Sequence, residues 1–283
     1  MRDISFIDKT FDLTKTHLYH LSIQISLDGL CFAVLDIPKG KYIQLNEHHF
    51  FLKRPRLLLK HVNQVIESEE IFKCEFKSTE ILYASRKFTL VPQSFFGKGS
   101  MEKYLWFNNQ EEKGYTIEKN LFPKAGCYCI FDIPQNLSSF LALKFPKVNV
   151  KHTLFPFVED ALKRNRSFSE KEQVHLNFFR DTFEMIIING SKLTYCNIFH
   201  YLTERDILYH VLLIFDQLKL TTNTTELVLH GQLPQVSPTY HLFRKYIRQT
   251  MFAKLDTTFQ YSYTFAQLPE HYYFSILSTY KCE

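Results

Sequence analysis

The sequence predicts a mixed α/β protein built of two related halves, each opening with a three-stranded meander. Three observations predict it. Asp28-Gly29 and Asn189-Gly190 each stand between two β-prone apolar runs. Such pairs are strong hairpin signals, because primed two-residue turns need positive φ. The order that follows each meander is the same: helix, strand, helix, strand, helix. The chain has 283 residues, 45% of them apolar, enough for two cores of ordinary domain size.

In the first half, Ser22–Leu27 alternates polar and apolar residues, the period of a half-buried strand. Leu30–Asp36 is the second strand, Pro38-Lys39-Gly40-Lys41 the next turn, and Tyr42–Asn46 the start of a third strand. Leu57–Ser68 reads as a helix, since Leu58, His61, Val62 and Val65 recur at three- and four-residue spacing. Strands are expected over Glu80–Ser85 and Lys87–Val91, a short helix over Met101–Phe107, and a strand pair over Tyr115–Phe122 and Gly126–Ile133. Helix Pro134–Leu143, strand Val148–Leu154 and helix Pro156–Lys163 complete this half. The charged, serine-bearing stretch from 165 to 173 marks a boundary. The two lobes are expected at 1–168, with a β-rich insertion near 87–133, and at 169–283.

The second half repeats the plan. Val174–Phe179, Thr182–Ile188 and Lys192–His200 are its meander, joined by Arg180-Asp181 and by Asn189-Gly190. Thr203 begins a helix, with Asp206 three residues on as a capping partner and Leu208, Val211, Leu212 and Phe215 as its apolar face. Glu226–His230 is a strand ending at Gly231, and Pro238–Arg248 a helix with proline near its start. Phe259–Phe265 is expected as a strand and Pro269–Tyr280 as a final helix.

Composition narrows the function. The net charge of +5 arises from 34 basic and 29 acidic residues, mixed along the chain. Nucleic-acid binders concentrate basic residues on one face. Here the dense clusters are short, Lys53-Arg54-Pro55-Arg56 and Lys163-Arg164-Asn165-Arg166, and read as solvated helix ends. A nucleic-acid partner is therefore not expected. The longest apolar run, Val211–Phe215, is far short of a membrane span. The N-terminus lacks the apolar stretch of a signal peptide, so a cytoplasmic protein is expected. Six scattered cysteines read as reduced thiols, and Cys127-Tyr128-Cys129 is poor spacing for zinc or a redox pair.

Other motifs fail on chemistry. Phe96-Gly97-Lys98-Gly99-Ser100 looks like the end of a phosphate loop, but Pro92 stands where the first glycine belongs and Gly99 where Ser or Thr belongs. His17/His20 and His48-His49 lack a third ligand at recognisable spacing, and adjacent histidines on a strand point to opposite faces. No metal is expected. The chain carries 28 Phe and 16 Tyr. Core packing accounts for most of them, and Phe50-Phe51, Phe95-Phe96, Phe178-Phe179 and Tyr272-Tyr273-Phe274 are candidates for a protein interface.

The duplicated order, with an insertion in the first copy, resembles the ribonuclease H-like fold of the actin-like ATPase superfamily. Its members include actin, sugar and acetate kinases, the large heat-shock chaperones and the actin-related protein of type IV pilus assembly. More closely, the chain resembles an uncharacterised Bacteroidetes family with this fold. The resemblance implies ATP and Mg²⁺ in a cleft between halves. It also implies phosphate-binding Asp-x-Gly turns in each first hairpin, and a Gly-rich adenosine turn after the fourth strand of the second half.

Those motifs are eroded at the matching positions. The first phosphate turn falls on Ser26-Leu27-Asp28-Gly29, where Ser26 and Asp28 replace the motif's Asp and Gly. Serine is a poor substitute for a charged oxygen ligand of a hard cation. The second falls on Phe179-Arg180-Asp181-Thr182, which keeps Asp181 but has no glycine to admit a phosphate. The adenosine turn, His230-Gly231-Gln232-Leu233-Pro234, has one glycine where the family usually has two. No cofactor and no ATPase or kinase activity are therefore expected. The leading expectation is a non-catalytic, actin-like module that binds another protein. The alternative is a divergent nucleotide-binding protein or phosphotransferase using Ser26, Asp28, Gly29, Asp181 and Gly231, with Asp181 the one catalytic candidate.

Overall fold

The elements of a computed structural model follow the predicted order closely, and residues 4–97, 100–165 and 172–282 are described. The chain divides into two units. One comprises Met1–Pro156, Asp256–Gln267 and Ile276–Glu283; the other comprises Phe157–Leu255 and Leu268–Ser275. The expected lobe boundary, Lys98 and Gly99 of the Gly-Lys-Gly segment, and Arg166 of the second basic cluster all lie outside the described residues.

The first unit is built on strands β1 (Ile4–Ile7), β2 (Tyr19–Ile25), β3 (Gly29–Asp36), β4 (Lys41–His49), β5 (Ser78–Tyr83) and β9 (Val150–His152). They form one sheet in the order β1-β4-β3-β2-β5-β9. Helix α1 (Leu58–Ser68) buries Leu58, Val62 and Val65 of the stripe that its spacing predicts, leaves His61 half-buried and adds Ile66. A second sheet, ordered β6-β8-β7, consists of β6 (Phe88–Pro92), β7 (Tyr115–Phe122) and β8 (Cys127–Pro134). Helix α2 (Met101–Asn108) covers one of its faces, with Leu105 packed on Val91 and Ile130. Helix α3 (Gln135–Lys144) follows, and α4 (Leu154–Asn165) leads out of the unit.

The second unit's sheet is ordered β12-β11-β10-β13-β14. Its strands are β10 (Glu172–Phe178), β11 (Thr182–Asn189), β12 (Lys192–His200), β13 (Glu226–Gly231) and β14 (Gln249–Phe252). Helices α5 (Glu204–Gln217) and α6 (Pro238–Tyr246) bury Ile207, Val211, Phe215 and Phe243 against Leu176, Phe178, Met185 and Leu229 of the sheet. The capping box expected at Thr203 and Asp206 is present.

The two sheets repeat each other in register as well as in order. β2–β3 and β10–β11 each align seven residue pairs antiparallel, and β2–β5 and β10–β13 each align six parallel. In β3–β4 and β11–β12 the register slips at the same point, six pairs from the first hairpin, at Val34/Leu35 and Ile187/Ile188. Equivalent positions follow: Asp28 with Asp181, His49 with His200, and Phe50 with Tyr201. This duplication is legible in the backbone although the two halves share no obvious sequence.

Four local expectations are corrected. Neither Asp28 nor Gly29 has positive φ, so their hairpin is not the primed turn expected. Gly29 is required by crowding instead, because an added Cβ would strike the carbonyl of His48 on β4. In the second hairpin Gly190, at φ +57°, is the first of the two loop residues rather than the second. The strand expected over Phe259–Phe265 shrinks to β15 (Gln260–Tyr261), which pairs with Lys41 and Tyr42 of the first unit's sheet. Its aromatic run packs on Tyr42, with Tyr261 stacked on that ring at 5.7 Å and Phe259 edge-on at 5.4 Å. The true fifth strand of the second unit's sheet, β14, lies just past the expected helix. The final helix is α7 (Phe274–Ser278), followed by a 3₁₀ turn over Thr279–Cys282.

Candidate functional site

The residues singled out as phosphate ligands form hairpin turns whose polar groups are used within the chain. In the first, the Ser26 amide donates to the Gly29 carbonyl at 2.9 Å. The Ser26 hydroxyl then accepts from the amides of Asp28 at 3.1 Å and Gly29 at 3.3 Å. The serine oxygen thus takes up both turn amides. The chain leaving β4 closes the other side, with the Phe50 and Phe51 amides donating to the Asp28 carbonyl and Leu52 to that of Leu27. Phe51 takes φ +53° to make this return.

The second hairpin repeats the backbone part of this construction, without a hydroxyl at the position of Ser26. The Phe179 amide donates to Thr182, and the Tyr201 amide to the Asp181 carbonyl at 3.1 Å. The Tyr201 hydroxyl donates to the Phe179 carbonyl at 2.6 Å. Asp181 is half-buried and Arg180 exposed. By register Asp181 corresponds to Asp28, so Ser26 has Phe179 as its counterpart. Each turn therefore keeps a carboxylate at one shared position and lacks one at the other.

Gly231 ends β13 beside Phe178. At φ +79° it is in the left-handed region, and an added Cβ would lie 2.6 Å from the Phe178 nitrogen and 2.7 Å from Asn177 Oδ1. Its amide donates to the His271 carbonyl at 2.7 Å, and the His271 ring bonds the Leu233 carbonyl at 2.8 Å. Phe252 lies against that ring at 4.2 Å, tilted by 33°. The turn is thus filled by His271 and Phe178. Nothing local in the sequence points to His271, which reaches Gly231 from forty positions away in the chain.

Behind this turn lies a buried polar layer on the sheet face away from α5 and α6. Gln173 donates to Glu226 at 2.7 Å, so its carbonyl oxygen is the group 3.4 Å from His175 Nε2. His175 Nε2–H donates there, and its Nδ1 accepts from His230 Nε2–H at 3.0 Å. Phe157 and Phe274 meet the His230 ring edge-on at 5.2 and 4.3 Å. Burial lowers the His175 pKa to about 3 and pushes His230 well down. Both rings are neutral, and their chemistry is structural hydrogen bonding. Asn177 completes the layer by donating to Glu184 at 2.8 Å and Ser275 at 3.2 Å.

Ser85, Asp132 and His152 also converge in the first unit, though not as a nucleophilic triad. The Ser85 hydroxyl donates straight to Asp132 at 2.5 Å, while His152 bonds the Ser85 backbone carbonyl at 3.0 Å and accepts from the Leu154 amide. All three are buried, and they tie β8 of the second sheet to β5 and β9. Burial raises the Asp132 pKa and lowers that of His152 to about 4.

The metal candidates separate. His20 is enclosed between the Ser78 and Ser22 hydroxyls, and His48 and His49 pair with Glu69 and Glu47. Among the described residues no group of three or more His, Cys, Asp or Glu is arranged to hold a metal. Of the second basic cluster, Arg164 is bound to Asp160 at 2.5 Å and to the Lys254 carbonyl at 2.9 Å. An open depression of about 660 Å³ is lined by Lys9, Lys15 and Lys39, but the latter two are paired with Asp12 and Asp36. No helix among the described residues is long and apolar enough to cross a membrane.

Two α/β units with the same strand order and register, each opening on a closed hairpin turn, define an actin-like ATPase fold. Solved structures agree. A Bacteroides thetaiotaomicron protein with an actin-like ATPase fold and unknown function is 22% identical, with a TM-score of 0.78 over 86% of this chain and 94% of that one. The PilM-PilN type IV pilus biogenesis complex matches at 10% identity and a TM-score of 0.59, over 92% and 96% of the two chains. The chain belongs to the family described as protein of unknown function DUF3822, matched over residues 8–250. No curated protein matches it in sequence.

Proposed function

We propose that this chain is a non-catalytic, actin-like protein-interaction module, an adaptor of the cytoplasm whose nucleotide turns are degenerate. The observation that carries this reading is the internal use of the ligand-binding amides. Those of Asp28 and Gly29 are bound to Ser26, and that of Gly231 to His271. Breaking them open for a phosphate exposes buried polar groups, at about 1–3 kcal/mol each. The PilM structure, similar in fold, is of a complex with PilN, which supports a protein as the partner class.

The test is thermal unfolding with ATP or ADP and Mg²⁺ at millimolar concentration. A ligand at a hundred times its dissociation constant adds about 2.7 kcal/mol to stability. No shift in Tm is expected, and a stabilising shift would overturn the proposal. One observation favours the alternative, a divergent nucleotide-binding protein or phosphotransferase: carboxylates stand at the same turn position in both halves, Asp28 and Asp181. That reading requires a Mg-ATP shift which Asp181→Asn removes.

A further inference from the structure

The first unit's small sheet carries an aromatic face that already holds a cation. Phe96 follows β6, and its ring lies 4.4 Å from that of Tyr128 on β8, tilted by 40°. Tyr104 of α2 stacks on Phe96 at 5.8 Å. The Lys119 ammonium, from β7, sits 4.6 Å from the centre of the Phe96 ring and 5.4 Å from that of Tyr128. Lys119 is exposed, whereas the three rings are half-buried.

This face is held in place rather than draped on the surface. The Tyr104 hydroxyl accepts from the Gly97 amide at 3.3 Å and donates to the Phe95 carbonyl at 3.1 Å, clasping the backbone on both sides of Phe96. The Gln93 amide is fixed to the Gly126 carbonyl at 2.9 Å. Phe95, next to Phe96, and Phe107, one turn past Tyr104 on α2, are 75% and 87% exposed, unusual for phenylalanine. Ring faces attract cations through their quadrupole, and pre-set aromatic surfaces of this kind recognise alkylammonium groups.

We propose that Phe96 and Tyr128 form a receptor for an alkylammonium side chain of a partner protein, with Lys119 as a tethered occupant that the partner displaces. The proposal deepens the protein-binding reading by naming a surface and a partner chemistry. A tethered group competes at high effective concentration, so removing Lys119 strengthens binding of an external cation.

The probe is tetramethylammonium chloride, titrated against the full chain and followed by the fluorescence of its single tryptophan, Trp106, which packs on the same cluster. Sodium chloride at equal ionic strength is the control. Lys119→Ala is expected to bind the probe about three- to five-fold more tightly than the unaltered chain. Phe96→Leu in that background keeps the apolar volume and loses the ring, and is expected to bind more weakly than the unaltered chain. Equal or weaker binding by Lys119→Ala, or full binding by the Phe96→Leu double variant, would overturn the proposal. Neither outcome depends on nucleotide, so a Mg-ATP shift would refute the adaptor reading without touching this one.

Discussion

Replacing Gly231 by alanine separates a glycine kept for packing from one kept for a ligand. At φ +79° the substitution costs about 1 kcal/mol for the left-handed backbone alone. The new Cβ also meets the Phe178 carbonyl oxygen and falls 2.6 Å from the Phe178 nitrogen and 2.7 Å from Asn177 Oδ1, so the backbones of β10 and β13 must part and Asn177 must shift as well. Overpacking of that kind adds about 1–3 kcal/mol. Together these give about 2–4 kcal/mol. Gly190→Ala is the internal control: its φ is +57°, and nothing lies within 4 Å of an added Cβ. Only the backbone cost remains there, partly offset by the stiffer unfolded chain, for a net loss under about 1 kcal/mol. Urea unfolding followed by circular dichroism measures both, with slopes compared to confirm that the states have not changed. Equal losses for the two variants would refute the packing account and leave Gly231 needing a ligand to explain it.

Acid should destabilise the fold well above the carboxylate range. His20 and His152, held by burial at pKa values of about 4, and His175, at about 3, are neutral when folded and titrate near 6.5 when unfolded. The unfolded state binds more protons below pH 6.5, so stability is present above that pH and is lost as pH falls toward 4. Each buried ring loses about 2 kcal/mol between pH 7 and pH 5 by this linkage. A flat urea midpoint over that window would refute it. Ser26→Ala strips two turn amides of their acceptor and should cost about 1–3 kcal/mol in chemical denaturation; a neutral result would mean that the turn does not depend on the hydroxyl. Tyr42→Phe removes a buried hydroxyl that donates to the Leu277 carbonyl at 2.7 Å. A loss of about 1–3 kcal/mol is expected, with faster amide exchange over residues 277–280, and unchanged exchange there would count against it.

Much of the architecture follows from local chemistry that the sequence carries. The alternation in Ser22–Leu27, the stripe Leu58, Val62 and Val65, and the Thr203/Asp206 box each specify an element through neighbours within a few residues. The repeat order needs nothing more. What the sequence could not reveal depends on contacts between distant segments. Gly29 looked like a turn glycine, and only the path of β4 showed that its missing Cβ makes room for the His48 carbonyl. The aromatic run at Phe259–Tyr261 has the pattern of a strand wherever it lands, and packing on Tyr42 decided which sheet it joins. The sites divide in the same way. The expectation that the phosphate motifs are eroded rests on residue type alone, at Ser26, Asp28, Asp181 and Gly231. Ser26 holds amides only two and three residues on, a local turn bond that serine favours. The filling of the Gly231 turn by His271, by contrast, was decided by tertiary structure alone, since hydrogen bonds between remote segments leave no periodicity in a sequence.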